Sequence, residues 1–137
     1  MGLGLLSYSR RGSEKREPLD LIPLVQEILV LGTAVELLGV AQAVLDMTIG
    51  YTKLREQFGK LIGSFQALQH RMVDCYVDAE LNRSLLYKVL SAWDEDRSHP
   101  AMVSAVKARV GKGALKTVRA ALQLHGAIGY TDEHEIG

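Results

Sequence analysis

The sequence predicts an all-α protein: an antiparallel, up-and-down bundle of three long helices plus the start of a fourth. Three observations lead there. Apolar residues recur at steps of three and four over three long stretches, the period of a helix face. The connections between the stretches are short, as antiparallel neighbours need. Leu, Val and Ala are plentiful, against one Trp, five Tyr, two Phe and three Pro, and no strand pattern appears.

At 137 residues the chain supports one domain with a real core and is too short to expect two. Sixteen basic and sixteen acidic side chains cancel, so no overall field draws the chain to nucleic acid or to an anionic membrane. The single cysteine, Cys75, has no partner for an internal disulfide. That fits a reducing compartment, the cytoplasm or in a eukaryote the mitochondrial matrix, or simply a fold that needs no staples.

Residues 1–17 carry Ser, Gly and a charged run without periodicity, and read as a disordered or extraneous leader. Residues 18–137 form the bundle domain. Met1-Gly2 resembles a myristoylation start, but Leu6 stands where Ser or Thr is required. No basic stretch precedes the opening apolar residues, which argues against a signal peptide. Pro18 and Pro23 mark the entry to the first helix, where the missing N–H costs nothing.

That helix is expected over about 24–58. Leu24, Ile28, Leu31, Val35, Leu38, Gln42, Leu45, Ile49 and Thr52 form one stripe, widened by Val25, Leu29, Leu37, Val40 and Val44. A helix apolar on most sides is central in its bundle, and Gly32, Gly39 and Ala43 offer room for close neighbours. The run from Ile28 to Leu45 also has the length of a membrane span. Glu36 at its centre costs on the order of 3 kcal/mol on insertion, so a buried bundle helix is the better account. Gly59 is placed to end the helix, and residues 60–63 form the connection.

A second helix is expected over about 64–94, capped by Ser64 and buried through Phe65, Leu68, Met72, Cys75, Tyr76, Ala79, Leu86 and Leu90. Residues 94–99 form a polar turn. His99 before Pro100 suits an N-cap, with Pro100 opening the third helix. That helix, about 101–125, aligns Val103, Val106, Val110, Ala114, Thr117, Ala121 and His125 on one face, and Gly126 is placed to end it. Gly129-Tyr130-Thr131 reads as a turn, with Thr131 a candidate cap for the fourth helix.

The familiar catalytic signatures are absent: no Gly-rich phosphate loop, HExxH, paired CxxC or nucleophile elbow. His70 and Asp74 lie one helical turn apart, but on an amphipathic helix such a pair is ordinary surface polarity, so no metal site is assigned. Arg109, Lys112, Lys116 and Arg119 form a basic stripe with no interleaved aromatics. It is expected to be a solvated face.

Two stretches offer more. One runs Tyr51-Thr-Lys-Leu-Arg55-Glu-Gln57-Phe58-Gly59-Lys60-Leu-Ile62-Gly-Ser-Phe65-Gln66, and the other Gln123-Leu-His125-Gly126-Ala127-Ile-Gly129-Tyr130-Thr131. Each is a helix end with a Gly-containing turn, where backbone N–H groups and a guanidinium can meet an anion. On physical grounds alone, plain helix termination explains both. Together with the preceding Ala34, Glu36, Gly39, Ala41, Gln42, Leu45 and Asp46, however, the two stretches resemble, in order and spacing, signatures of the acyl-CoA dehydrogenases. The resemblance covers residues 24 to 137.

The resemblance implies the C-terminal helical domain of a flavoenzyme that oxidises acyl-CoA to enoyl-CoA with FAD and assembles as a dimer or tetramer. It implies that Arg55 reaches the FAD pyrophosphate, commonly across a subunit interface, with Gln57 and Phe58 beside it. Gln66 matches a glutamine near the adenosine portion. Gln123, Gly126 and Ala127 match the segment that approaches the partner's FAD, Ala127 replacing the family's usual second glycine. The catalytic glutamate of most members falls beyond Gly137. Leu29 stands at the position a minority use, and Glu27 and Glu36 are out of register, so no catalytic residue is assigned. The expectation is a domain inactive as an isolated chain. The alternative is a non-catalytic helical assembly module or a subunit of a heteromeric complex, and a membrane-inserted hairpin is a third reading. The unfinished bundle predicts self-association through an exposed apolar surface.

Overall fold

The computed structural model describes residues 21–94 and 100–131. The leader, the polar turn with the His99 cap and any helix after Thr131 lie outside the described residues. Three helices dominate: α1 (Leu21–Thr52), α2 (Gln66–Asp94) and α3 (Pro100–His125). A two-residue-strand hairpin, β1 (Glu56–Gln57) with β2 (Lys60–Leu61), and a 3-10 turn (Ile62–Ser64) join α1 to α2. A second 3-10 turn (Gly126–Tyr130) follows α3. The core joins Leu31, Ala34 and Leu38 of α1 to Leu86 and Val89 of α2 and to Val103, Val106 and Val110 of α3. The middle of α1 thus meets the end of α2 and the start of α3 while its end meets the start of α2, which gives the expected up-down-up order.

The buried edge of α1 is Leu31, Ala34, Leu38, Ala41, Leu45, Thr48 and Thr52, an unbroken three-four repeat. The sequence stripe named Leu31, Leu38, Leu45 and Thr52 correctly. Between them it chose Val35, Gln42 and Ile49 where Ala34, Ala41 and Thr48 are buried, one residue off, because each buried residue is smaller than its neighbour and carries less weight in the pattern. The small residues let α3 lie close along α1. Leu24, Ile28 and Val35 are exposed, so within this chain α1 buries one edge and is not central. In α3 every position expected to be buried is buried, joined by Gly113 and Leu124.

The connection differs from expectation. The first helix stops at Thr52, six residues before Phe58. The N–H groups of Leu54 and Arg55 both bond to the Tyr51 carbonyl, each at 3.0 Å, and turn the chain off the helix axis. Glu56 pairs with Leu61 and Gln57 with Lys60, leaving Phe58 and Gly59 as a two-residue turn with φ of 57° and 75°. Positive φ at both centres is the mark of the type I′ turn that matches strand twist. Gly59 therefore closes a hairpin and does not cap a helix. Ser64 is not an N-cap either: its hydroxyl donates to the Leu61 carbonyl at 2.7 Å, and the amide of Gln69 ties the start of α2 to the Gly63 carbonyl at 2.8 Å. Gly63 is required where it stands, since a Cβ there would lie 2.8 Å from the Thr52 carbonyl oxygen. In α2, Cys75, Ala79 and Leu86 are buried as expected, whereas Tyr76 and Leu90 are exposed.

Candidate functional site

The end of α1, the hairpin, the start of α2 and the end of α3 converge on a cleft of ≈ 480 Å3 lined by Tyr51, Arg55, Gln57, Phe58, Ile62, Phe65, Ala67, Leu68, Gln123, Leu124 and His125. Four of the seven sequence-predicted site residues, Arg55, Gln57, Phe58 and Gln123, meet here from two stretches far apart in the sequence. Gln66 is exposed on the first turn of α2, and Gly126 and Ala127 lie in the 3-10 turn beyond α3. None of these three lines the cleft.

The hairpin sets the geometry of one wall. It projects Phe58 at its tip, 91% exposed, in an edge-to-face arrangement with Phe65, their centroids 6.2 Å apart. Lys60 places its ammonium 4.3 Å from the Phe65 ring centroid, a cation–π contact. On the same cleft Arg55 is exposed, and its guanidinium makes no hydrogen bond or ion pair among the described residues. Its five donors remain available in a planar fork suited to phosphate oxygens.

The other wall is the last turn of α3. His125 is buried to 4%, with Nδ1 2.9 Å from the Ala121 carbonyl and its ring stacked on Tyr51 at 4.3 Å and 24°. Gly126 follows with φ of +65°, a conformation open to glycine at little cost, and it ends α3 as expected. The sequence placed His125 on the buried face of α3 and quoted Tyr51 only within its signature, giving neither a role at the site. Their one signal was position: Tyr51 one turn before Arg55, His125 two residues after Gln123.

Away from the cleft, the α3 basic stripe is solvent-exposed as expected, and two of its cations also pair with α2. Asp78 of α2 accepts from Lys116 Nζ at 2.6 Å and Arg109 Nη2 at 3.1 Å. The bond from Lys116, aided by the Lys116 and Arg109 charges, holds the Asp78 carboxyl below its usual range, and the same bond to the Asp78 carboxylate raises the Lys116 ammonium. Among the described residues no group of three His, Cys, Asp or Glu is placed to hold a metal.

The family described as acyl-CoA dehydrogenase, C-terminal domain, matches residues 31–137. The acyl-CoA dehydrogenase IpdE2 of Mycobacterium tuberculosis is 38% identical over 130 residues, which is 93% of this chain and 39% of that protein. Among solved structures, glutaryl-coenzyme A dehydrogenase in its glutaryl-CoA complex superposes with a TM-score of 0.77 at 35% identity, over 80% of this chain and 28% of that one. PigA with FAD and proline superposes with a TM-score of 0.76 at 26% identity, over 79% and 28% of the respective chains. The chain spans 26% to 39% of the length of the first curated relatives it matches.

Proposed function

The chain belongs to the acyl-CoA dehydrogenase family as its C-terminal domain, and from that premise we propose that it is the FAD-contacting and assembly domain of an enzyme converting acyl-CoA to enoyl-CoA. The observation that carries the flavin contact is the cleft itself. It gathers Arg55, Gln57, Phe58 and Gln123, with the guanidinium of Arg55 uncommitted. This donor set fits FAD: a cationic fork for a pyrophosphate, flanking amides for hydroxyl and carbonyl groups, and aromatic surface that excludes water. FAD, when bound, supplies the hydride acceptor of the reaction. The residues of this chain bind and orient it. Arg55 neutralises phosphate charge, Gln57 and Gln123 fix direction, and exposed Phe58 covers apolar surface contributed by the cofactor or a partner subunit. Gln66, Gly126 and Ala127 contact FAD only beyond the cleft; for them the proposal rests on the matching motifs. Ala127 is exposed, so its methyl does not crowd this chain's own core and is free to face a bound group.

No base for proton abstraction is assigned. Leu29 is exposed and apolar, and Glu36 lies exposed on α1. The chain is accordingly proposed to bind without turning over acyl-CoA alone.

Assembly is supported by the surface of α1. Ile22, Val25, Ile28, Leu29, Val35 and Val40 are each at least half exposed, and Gly32, Gly39 and Gly50 have open space where a Cβ would point. α1 has the length and hydropathy of a membrane span, with 28% of its apolar window buried. We propose that protein covers this face, as self-association to a dimer or tetramer, and not lipid. The same face serves the second reading, an assembly module or subunit of a heteromeric complex without flavin contact.

Titration of the purified chain with FAD, followed by flavin fluorescence, separates the two readings. Saturable binding that weakens at least tenfold in Arg55→Ala supports flavin contact. Absence of binding at concentrations where the chain is oligomeric leaves the assembly module.

A further inference from the structure

We infer that the Tyr51–His125 ring stack is a positioning pair that locks the Arg55 wall of the cleft to the Gln123 wall. For its binding readout the inference rests on the flavin reading above.

Arg55 lies three residues past the end of α1, and its N–H is bonded to the Tyr51 carbonyl at 3.0 Å. Its own carbonyl accepts from the Ile62 N–H at 2.8 Å, so the hairpin carrying Gln57 and Phe58 hangs on the same point. Where Tyr51 goes, Arg55 follows. Tyr51 is in turn held by the His125 ring, 4.3 Å away and nearly parallel at 24°, the offset-stacked arrangement that aromatic rings favour. His125 is fixed from behind on two sides. Its Nδ1 lies 2.9 Å from the Ala121 carbonyl, and the Gly129 turn packs so closely that an added Cβ would sit 3.0 Å from His125 Cβ. Gln123 stands two residues earlier on the same helical turn. One stack therefore joins two walls that come from distant parts of the sequence, and it sets the separation between the guanidinium and the amide.

Amide relaxation of the ligand-free chain tests this without FAD. In His125→Ala, the Arg55 and Gln57 order parameters fall from about 0.85 to below about 0.6. His125→Phe, which restores a flat ring against Tyr51, recovers most of that loss. Arg55 and Gln57 that stay rigid in folded His125→Ala overturn the inference. Should that variant fail to fold, Tyr51→Leu removes the stack from its half-buried side and carries the same expectation. FAD affinity gives the second arm. His125→Ala weakens binding about three- to tenfold in the parent and less than twofold in the Arg55→Ala background, because a residue that acts through Arg55 has nothing left to position. Equal losses in both backgrounds mark a merely structural role and overturn the inference. If the parent chain does not bind FAD, the flavin reading fails and the relaxation arm still decides.

Discussion

Gly113 of α3 faces the buried amide of Asn82 of α2 so closely that a Cβ at Gly113 would overlap Asn82 Nδ2. Asn82 is 2% exposed, and its Oδ1 has no hydrogen-bond partner among the described residues. The two helices meet where one contributes no side chain and the other a polar one.

Gly113→Ala is therefore expected to destabilise the chain by about 1–3 kcal/mol, the usual cost of overpacking, despite the better helix propensity of alanine. In an Asn82→Ala background the same substitution costs less than half as much, since the methyl enters vacated space. Urea unfolding of the four variants measures the coupling. Additive costs would show that the contact does not limit helix approach.

Asp78 ties α2 to α3 through Lys116 and Arg109. Its lowered carboxyl pKa means that this stabilisation is present above the ordinary carboxylate value near 3.8 and is lost as pH falls through the depressed folded value. Because both cations are well exposed, Asp78→Asn costs only roughly 0.5–1 kcal/mol at pH 7. Unfolding measured from pH 7 down to 2 is expected to show parent and variant converging below about pH 3.8. A constant difference across that range would contradict the ion-pair account.

Cys75 is 2% exposed, and burial pushes its thiol above the usual value, against the lowering by a hydrogen bond with Thr117. The thiolate is the reactive form. Alkylation by iodoacetamide at pH 8 should run at least about a hundredfold slower in the folded chain than in urea. Equal rates would place the thiol at the surface.

Phe58 adopts φ of 57°, where a non-glycine residue costs roughly 1–2 kcal/mol. Phe58→Asn supplies the residue that type I′ turns prefer before glycine. It is expected to raise stability by about 0.5–1 kcal/mol after loss of the Phe65 contact, while weakening FAD binding. A variant that loses stability would show that the ring contributes more to the fold than its 91% exposure suggests.

The three helices and most of the buried face of α3, all but Gly113 and Leu124, were legible in the sequence because valine and alanine repeat there at clean helical spacing. On α1 the seam was half legible: Leu31, Leu38 and Leu45 announce themselves, whereas Ala34, Ala41 and Thr48 matter through smallness, which hydrophobic periodicity underweights. The hairpin was not legible, since Phe-Gly is an unfavoured turn pair and its strands are only two residues long. Asn82 at the helix seam and Asp78 between two cations depend on helix register, which a single sequence does not specify. Of the seven residues the motifs named, Arg55, Gln57, Phe58 and Gln123 line one cleft, whereas Gln66, Gly126 and Ala127 do not. The stack of Tyr51 on His125 exists only once the ends of α1 and α3 are brought side by side.

The central claim is that Arg55 and its neighbours form a site for the pyrophosphate of FAD. Its most direct test compares the affinities of FAD and of riboflavin, which lacks the phosphates, for the parent chain and Arg55→Ala. The account predicts that the parent prefers FAD at least tenfold, about 1.4 kcal/mol or more, and that Arg55→Ala removes most of that preference while leaving riboflavin binding within about twofold. Equal affinity for the two flavins in the parent, or an unchanged preference in the variant, would contradict it.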